Sequence, residues 1–172
     1  MIASERREKI LEAIKQSNMP ISASTLAQDF GVTRQVVVGD VSLLRAAGNE
    51  IIATARGYIF PTVKSINQFL GTIACKHDIQ DTHKELQTIV SLGATVINVT
   101  VEHELYGEIT GNLNISTHKD IDEFFGRVNS SKVRLLADLT DGVHLHQIAC
   151  RDKEHFEQLQ KALEVEGVLY KD

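Results

Sequence analysis

Residues 33–48 read TRQVVVGDVSLLRAAG. Val37, Val41 and Leu44 recur at helical spacing, Thr33 supplies an N-cap hydroxyl and Gly48 a helix stop, so the stretch reads as a helix with one apolar stripe. Arg34, Gln35, Val38 and Ser42 lie off that stripe, and Arg45 returns to the face of Arg34 after eleven residues, about three turns. Upstream, Leu26, Ala27 and Phe30 line one side of a short helix that Ser22 or Ser24 caps and Gly31 ends. Before the Met19-Pro20 break, residues 4–17 form a first helix that starts at Ser4 and buries Ile10, Leu11 and Ile14. Three helices with a tight Phe30-Gly31-Val32 turn have the spacing of a helix-turn-helix, whose last helix enters the major groove.

Downstream, the apolar runs EIIAT (50–54) and YIFP (58–61) flank Ala55-Arg56-Gly57, a hairpin with a flexible, positively charged tip. That is a wing. A polar helix face alone reads equally well as a solvated surface, and small winged-helix domains also serve as protein contacts; helix and wing together point to DNA. Arginine pairs with guanine and glutamine with adenine, so base reading falls to Arg34 and Gln35, with Thr33 and Arg45 nearer the phosphates and Arg56 at the apex of the wing as a further DNA contact.

The chain has 172 residues, 42% of them hydrophobic, and a net charge of -5, enough for one medium domain or two small ones. Seven Lys/Arg stand against six Asp/Glu up to Thr62, so the acidity lies in the remainder and only the first part suits phosphate. Neither a membrane-length apolar run nor the apolar core of a signal peptide is present, and the expected location is the cytoplasm. Cys75 and Cys150 are too few for a disulfide framework and read as buried, reduced thiols.

After a connector at 61–67, FLGTIACKH (69–77) reads as a strand and 81–92 as a helix capped by Asp81. TVINVTVEH (95–103) and GEITGNLNIS (107–116) follow as strands, then a helix at 119–129, a strand at 142–150 and a closing helix at 153–166. The order β-α-β-β-α-β-α predicts an α/β (α+β) sandwich of the ferredoxin-like, split β-α-β kind with an added C-terminal helix. The expected domains are a winged helix-turn-helix at 1–62 and this sandwich at 63–172.

In His144-Leu145-His146 both imidazoles project from one strand face, which suits attachment to one metal ion, although such a pair is often two unrelated polar side chains. His77 ends a strand and Glu85 lies one turn into the following helix, so a tight connection permits both to reach one point. Three imidazoles and a carboxylate suit zinc, nickel or cobalt and suit magnesium poorly. Cys75 shares a strand face with His77 and competes as a ligand, but a buried thiol is the simpler reading. His83, His118 and His155 read as surface or hydrogen-bonded residues, while His103, beside Glu104, can belong to the pocket. No phosphate-binding glycine loop, nucleophile elbow or Cys-x-x-Cys site occurs, and we expect no catalytic residues.

Taken together, GVTRQVVVGDVSLLRAAG, IIATARGY, IACKH, VEHELYGEITGNL and GVHLHQI resemble the niacin-responsive repressors of NAD biosynthesis, built from a winged helix-turn-helix and a three-histidine domain. The resemblance covers nearly the whole chain. It implies a cytoplasmic homodimer on a palindromic double-stranded DNA operator of genes for NAD synthesis or niacin salvage and uptake, with nicotinic acid as co-repressor. It also implies a divalent metal, nickel or zinc, held by His77, Glu85, His144 and His146. The effector would then bind at or beside the metal, with His103 and Tyr106 as contacts. Rival readings are a repressor for which the metal itself is the signal, a metallo-hydrolase using Glu104 or Glu108, and a domain that only dimerises the protein.

Overall fold

A computed structural model describes residues 1–61 and 68–171. The chain divides into two compact units, Met1–Ser65 and Ile66–Asp172. The expected domain boundary at 62/63 and nearly all of the expected connector lie outside the described residues.

The first unit runs α1 (Ala3–Gln16), α2 (Ala23–Asp29), α3 (Arg34–Ala46), β1 (Ile52–Thr54) and β2 (Gly57–Ile59). Ile10 and Ile14 of α1, Leu26 of α2 and Val37, Val41 and Leu44 of α3 meet in one apolar core. Thr33 caps α3 as expected, accepting from the Val36 N–H at 3.3 Å. Ser22, not Ser24, caps α2 through the Thr25 N–H at 3.0 Å. Ser4 does not cap α1, which begins at Ala3 with Ile2 in the cap position and no side-chain bond there. Val38 is corrected as well: it packs half-buried against the core instead of lying on the outer face.

The wing closes through a turn at Ala55 and Arg56, and Tyr58 also bridges Ile21, so the loop before α2 forms a third edge. Gly57 makes this possible, because with φ at +135° a Cβ there would stand 2.3 Å from the Ile21 carbonyl oxygen. The turn is held from inside, with the Arg56 N–H donating to Thr54 Oγ1 at 3.2 Å and the Arg56 side chain half-buried. The tip is thus tied more firmly than the expected flexible one.

The second unit contains β3 (Phe69–Lys76), α4 (Ile79–Ser91), β4 (Thr95–His103), β5 (Gly107–Ile115), α5 (His118–Ser130), a 3-10 turn (Leu136–Thr140), β6 (Val143–Cys150) and α6 (Lys153–Val165). The sheet order is β3-β6-β4-β5 with antiparallel neighbours. β3 and β4, joined by α4, therefore run parallel with β6 between them, and β5 and β6, joined by α5, run parallel across β4. Both are split β-α-β units, as the element pattern implied. The order is a variation on the ferredoxin-like one, in which the first strand is interior; here β3 lies at an edge and β6 inside.

Asp78, not Asp81, caps α4, accepting from the Gln80 and Asp81 N–H groups at 3.0 and 3.4 Å. The helix thus starts two residues earlier than expected and follows His77 almost directly. Its buried positions are Glu85, Leu86, Ile89 and Val90. Full burial of Leu86 and Ile89 contributes about 1.5–3 kcal/mol each and presses that face of the helix, with its one carboxylate, into the interior.

Candidate metal centre and DNA-binding face

β6 places His144 and His146 on its buried face, directly across from Cys75 and Ile73 of β3. His77 leaves the end of β3, and Glu85 comes down from α4 with no exposed surface. The Nε2 atoms of all three histidines converge on the Glu85 carboxylate, with His144 at 3.2 and 3.4 Å from its two oxygens and His77 and His146 in closer contact. The four side chains singled out in the sequence are therefore brought to one point.

The far side of each ring decides what that point can hold. His77 Nδ1 bonds the Asp78 carbonyl at 2.8 Å, His144 Nδ1 the Gly142 carbonyl at 2.8 Å and His146 Nδ1 the Asn98 carbonyl at 2.7 Å. A carbonyl only accepts, so each Nδ1 carries the proton and each neutral ring aims its Nε2 lone pair at the carboxylate. Lone pairs then face lone pairs, and something positive must stand between them. Three extra protons would leave two uncompensated positive charges in a buried site, at a cost of several kcal/mol per ion. One divalent cation satisfies the same donors with the rings neutral. His77 Nε2 is buried and, although it abuts the Glu85 carboxylate, makes no hydrogen bond, which leaves its lone pair open to a cation. A carbonyl behind each imidazole is the support that metal-binding histidines characteristically have, and the donor set fits a divalent transition metal.

Without a metal, the carboxylate and the imidazoles of the cluster shift one another's protonation. Burial pushes the Glu85 carboxyl up, but the facing charge of His146 and the hydrogen bonds of His144 and His146 overcome it and hold the group at about 2. Burial lowers His144, yet the hydrogen bond and charge of Glu85, with the Gly142 carbonyl, leave it raised on balance. Cys75 is raised, first by burial and then by the Glu85 charge.

Beside His144 and His146 lies a cavity walled by Leu86, Val99, Leu113, Phe124 and Leu136, with a volume of about 50 Å³. That holds a few waters and falls well short of the roughly 300 Å³ of an open ligand pocket. His103 and Tyr106 are not brought to it. They stack on each other at 5.1 Å in the β4–β5 connection, where Tyr106 is exposed and His103 Nδ1 accepts the Leu105 and Tyr106 N–H groups. Glu104 and Glu108 are exposed in the same region. His83 packs against Phe125, His118 meets Ser91, and His155 is buried with hydrogen bonds to the Arg151 N–H and the Leu92 carbonyl.

In the first unit Thr33, Arg34, Gln35 and Arg45 are all exposed on α3, at its start and on its outer face. Sequence reasoning missed Asp40, a buried carboxylate of α3 that binds Arg6 Nε at 2.6 Å and lies 3.6 Å from Arg7 of α1. These pairs fix the rotation of α3 about its axis and so the face it presents. The signal was available, since a charged residue within the apolar stripe, three residues after Val37 and one before Val41, calls for a counter-charge.

A model of the 3H domain matches residues 71–172, nearly the whole of the second unit, starting inside β3. The chain belongs to the 3H-domain family. Ahead of the 3H domain, an HTH domain model matches residues 6–59, the three helices and the wing. Relatives align with the chain almost from end to end. The chain is 38% identical to "Transcription repressor NadR" of Bacillus subtilis, over 100% of its own length and 97% of the relative's. It is 34% identical to "Probable transcription repressor NiaR" of Thermotoga maritima, over 99% and 97%. The histidine and glutamate cluster lies entirely within the 3H domain.

Proposed function

We propose that this protein is a DNA-binding transcription repressor whose 3H domain holds a divalent metal, nickel or zinc, and responds to nicotinic acid. The DNA-binding part rests on the helix-turn-helix with its wing and on two full-length relatives that carry the name of repressors. The sensing part rests on one observation: three Nδ1-anchored imidazoles converge on a buried carboxylate beside an apolar cavity. Nicotinic acid, the effector implied by the family resemblance, combines a flat apolar ring with a carboxylate. Phe124 and Leu136 suit the ring, and the cation between His144, His146 and Glu85 suits the anion. At its present volume the cavity excludes a pyridine ring, so binding needs its walls, Phe124 and Leu136 among them, to move apart.

Repression follows if the effector favours the arrangement of a homodimer that fits a palindromic operator, since a ligand with equal affinity for two states shifts neither. The DNA contacts are Thr33, Arg34, Gln35, Arg45 and Arg56, and the cell compartment is the cytoplasm. The decisive experiment is thermal unfolding of metal-loaded and metal-stripped protein with nicotinic acid, nicotinamide and NAD. Nicotinic acid is expected to raise the midpoint only in the loaded protein, and His144→Ala or His146→Ala to abolish the rise. A midpoint that responds to metal and to none of the three compounds would make the ion itself the signal.

A further inference from the structure

The fifth donor at the cluster is a thiol. Cys75 faces His144 across the β3–β6 ladder in direct register, so both side chains leave the sheet on the buried side. The Cys75 sulfur, a Glu85 oxygen and a His144 nitrogen all lie within 4.8 Å of one another, and Cys75 is fully buried and not in a disulfide. Donors on opposite sides of one zinc ion stand at most about 4.4 Å apart, the sum of a Zn–S bond near 2.3 Å and a Zn–N bond near 2.1 Å. The 4.8 Å bound exceeds this limit by a few tenths of an ångström, and the separation of about 3.6 Å in a tetrahedral site by roughly 1 Å, so coordination needs the Cys75 side chain to move toward the ion. His77 Nε2, two residues further along the same strand face, is buried against the Glu85 carboxylate without a hydrogen bond and marks this side of the cluster as aimed at a ligand.

We infer that Cys75 is a metal ligand in this protein, joining the three histidines and Glu85 through its sulfur. The inference rests on the metal reading above and extends it to the class of ion: a thiolate favours zinc, cobalt or nickel over manganese or magnesium. On coordination the S–H bond breaks, the proton leaves to solvent and the sulfur lone pair forms the bond to the ion; nothing is oxidised. Cys150, buried in the same strand as the two histidines but paired with Phe69 six residues beyond His144, is the internal control.

X-ray absorption of the full-length, zinc-loaded protein tests this without any substitution. A sulfur neighbour at about 2.3 Å, beside nitrogen and oxygen at about 2.0–2.1 Å, is expected. The cobalt-loaded protein should show a near-ultraviolet sulfur-to-metal charge-transfer band that Cys75→Ser removes and Cys150→Ser keeps. Cys75→Ser should also weaken zinc binding by about tenfold or more while changing manganese binding less. One ion per chain with only nitrogen and oxygen around it would overturn the role of Cys75 and leave the metal reading standing. Failure to take up one ion per chain would overturn both. Should Cys75→Ser not fold, the absorption spectrum of the unsubstituted protein still decides.

Discussion

Gly142 has φ at +87°, and a Cβ added there would lie 2.3 Å from the His77 carbonyl oxygen. Its own carbonyl receives the His144 Nδ1 proton. One residue thus brings the His77 and His144 segments together and orients a ring, and no side chain advertises it. Gly142→Ala is expected to destabilise the protein by about 1–3 kcal/mol through strain at that position. It should also weaken metal binding about 10–100-fold, the usual effect of losing support behind a ligand. Gly126, in α5 with nothing near its would-be Cβ, is the contrast: Gly126→Ala should stabilise by about 0.5–1 kcal/mol and leave metal binding unchanged. Paired denaturation and metal titration of the two variants check this. The four side chains of the cluster were legible because their chemistry lies in the side chains themselves. The carbonyls of Asp78, Asn98 and Gly142 were not, since any residue can supply one and only the tertiary path decides which does.

Among the elements, α3 was the most legible, because cap, stripe and stop all coincide in one stretch. α4 was misread by two to three residues, because Asp78 and Asp81 are both plausible caps and only the structure shows which carboxylate meets the free N–H groups. Strand order was not legible at all, since hydrophobic alternation gives a strand its faces and not its neighbours. Predictions for α3 follow from its position. Thr33→Ala removes the cap and should cost about 1 kcal/mol of stability, measured by urea unfolding. On a pool of duplexes, Arg34→Ala should relax preference at one base position by about 1–3 kcal/mol, whereas Arg45→Ala should weaken all sequences alike and reduce the salt slope by about one. Equal, sequence-blind losses from both variants would mean that Arg34 only touches phosphate.

For the whole molecule, the cluster links stability to pH, and the sign depends on whether metal is bound. Without metal the Glu85 carboxyl lies at about 2, below its ordinary 4.5, so its contribution is present above 4.5 and fades as the pH falls toward 2. His144 is raised above 6.5, so its contribution is complete below 6.5 and is lost as the pH rises through the raised value. The metal-free protein should therefore lose thermal stability as the pH rises above 6.5 and through the raised value, where this buried ring gives up its proton. A metal ion takes the place of that proton, and its binding strengthens as the competing proton leaves. The rise in unfolding midpoint on adding nickel or zinc should accordingly be small near pH 6 and grow steadily above it. Metal-free His144→Ala protein, which lacks the group, should lose the alkaline slope along with the metal response. An alkaline slope that persists in His144→Ala, or a metal-induced rise independent of pH, would show that protons and metal do not compete for the same nitrogen.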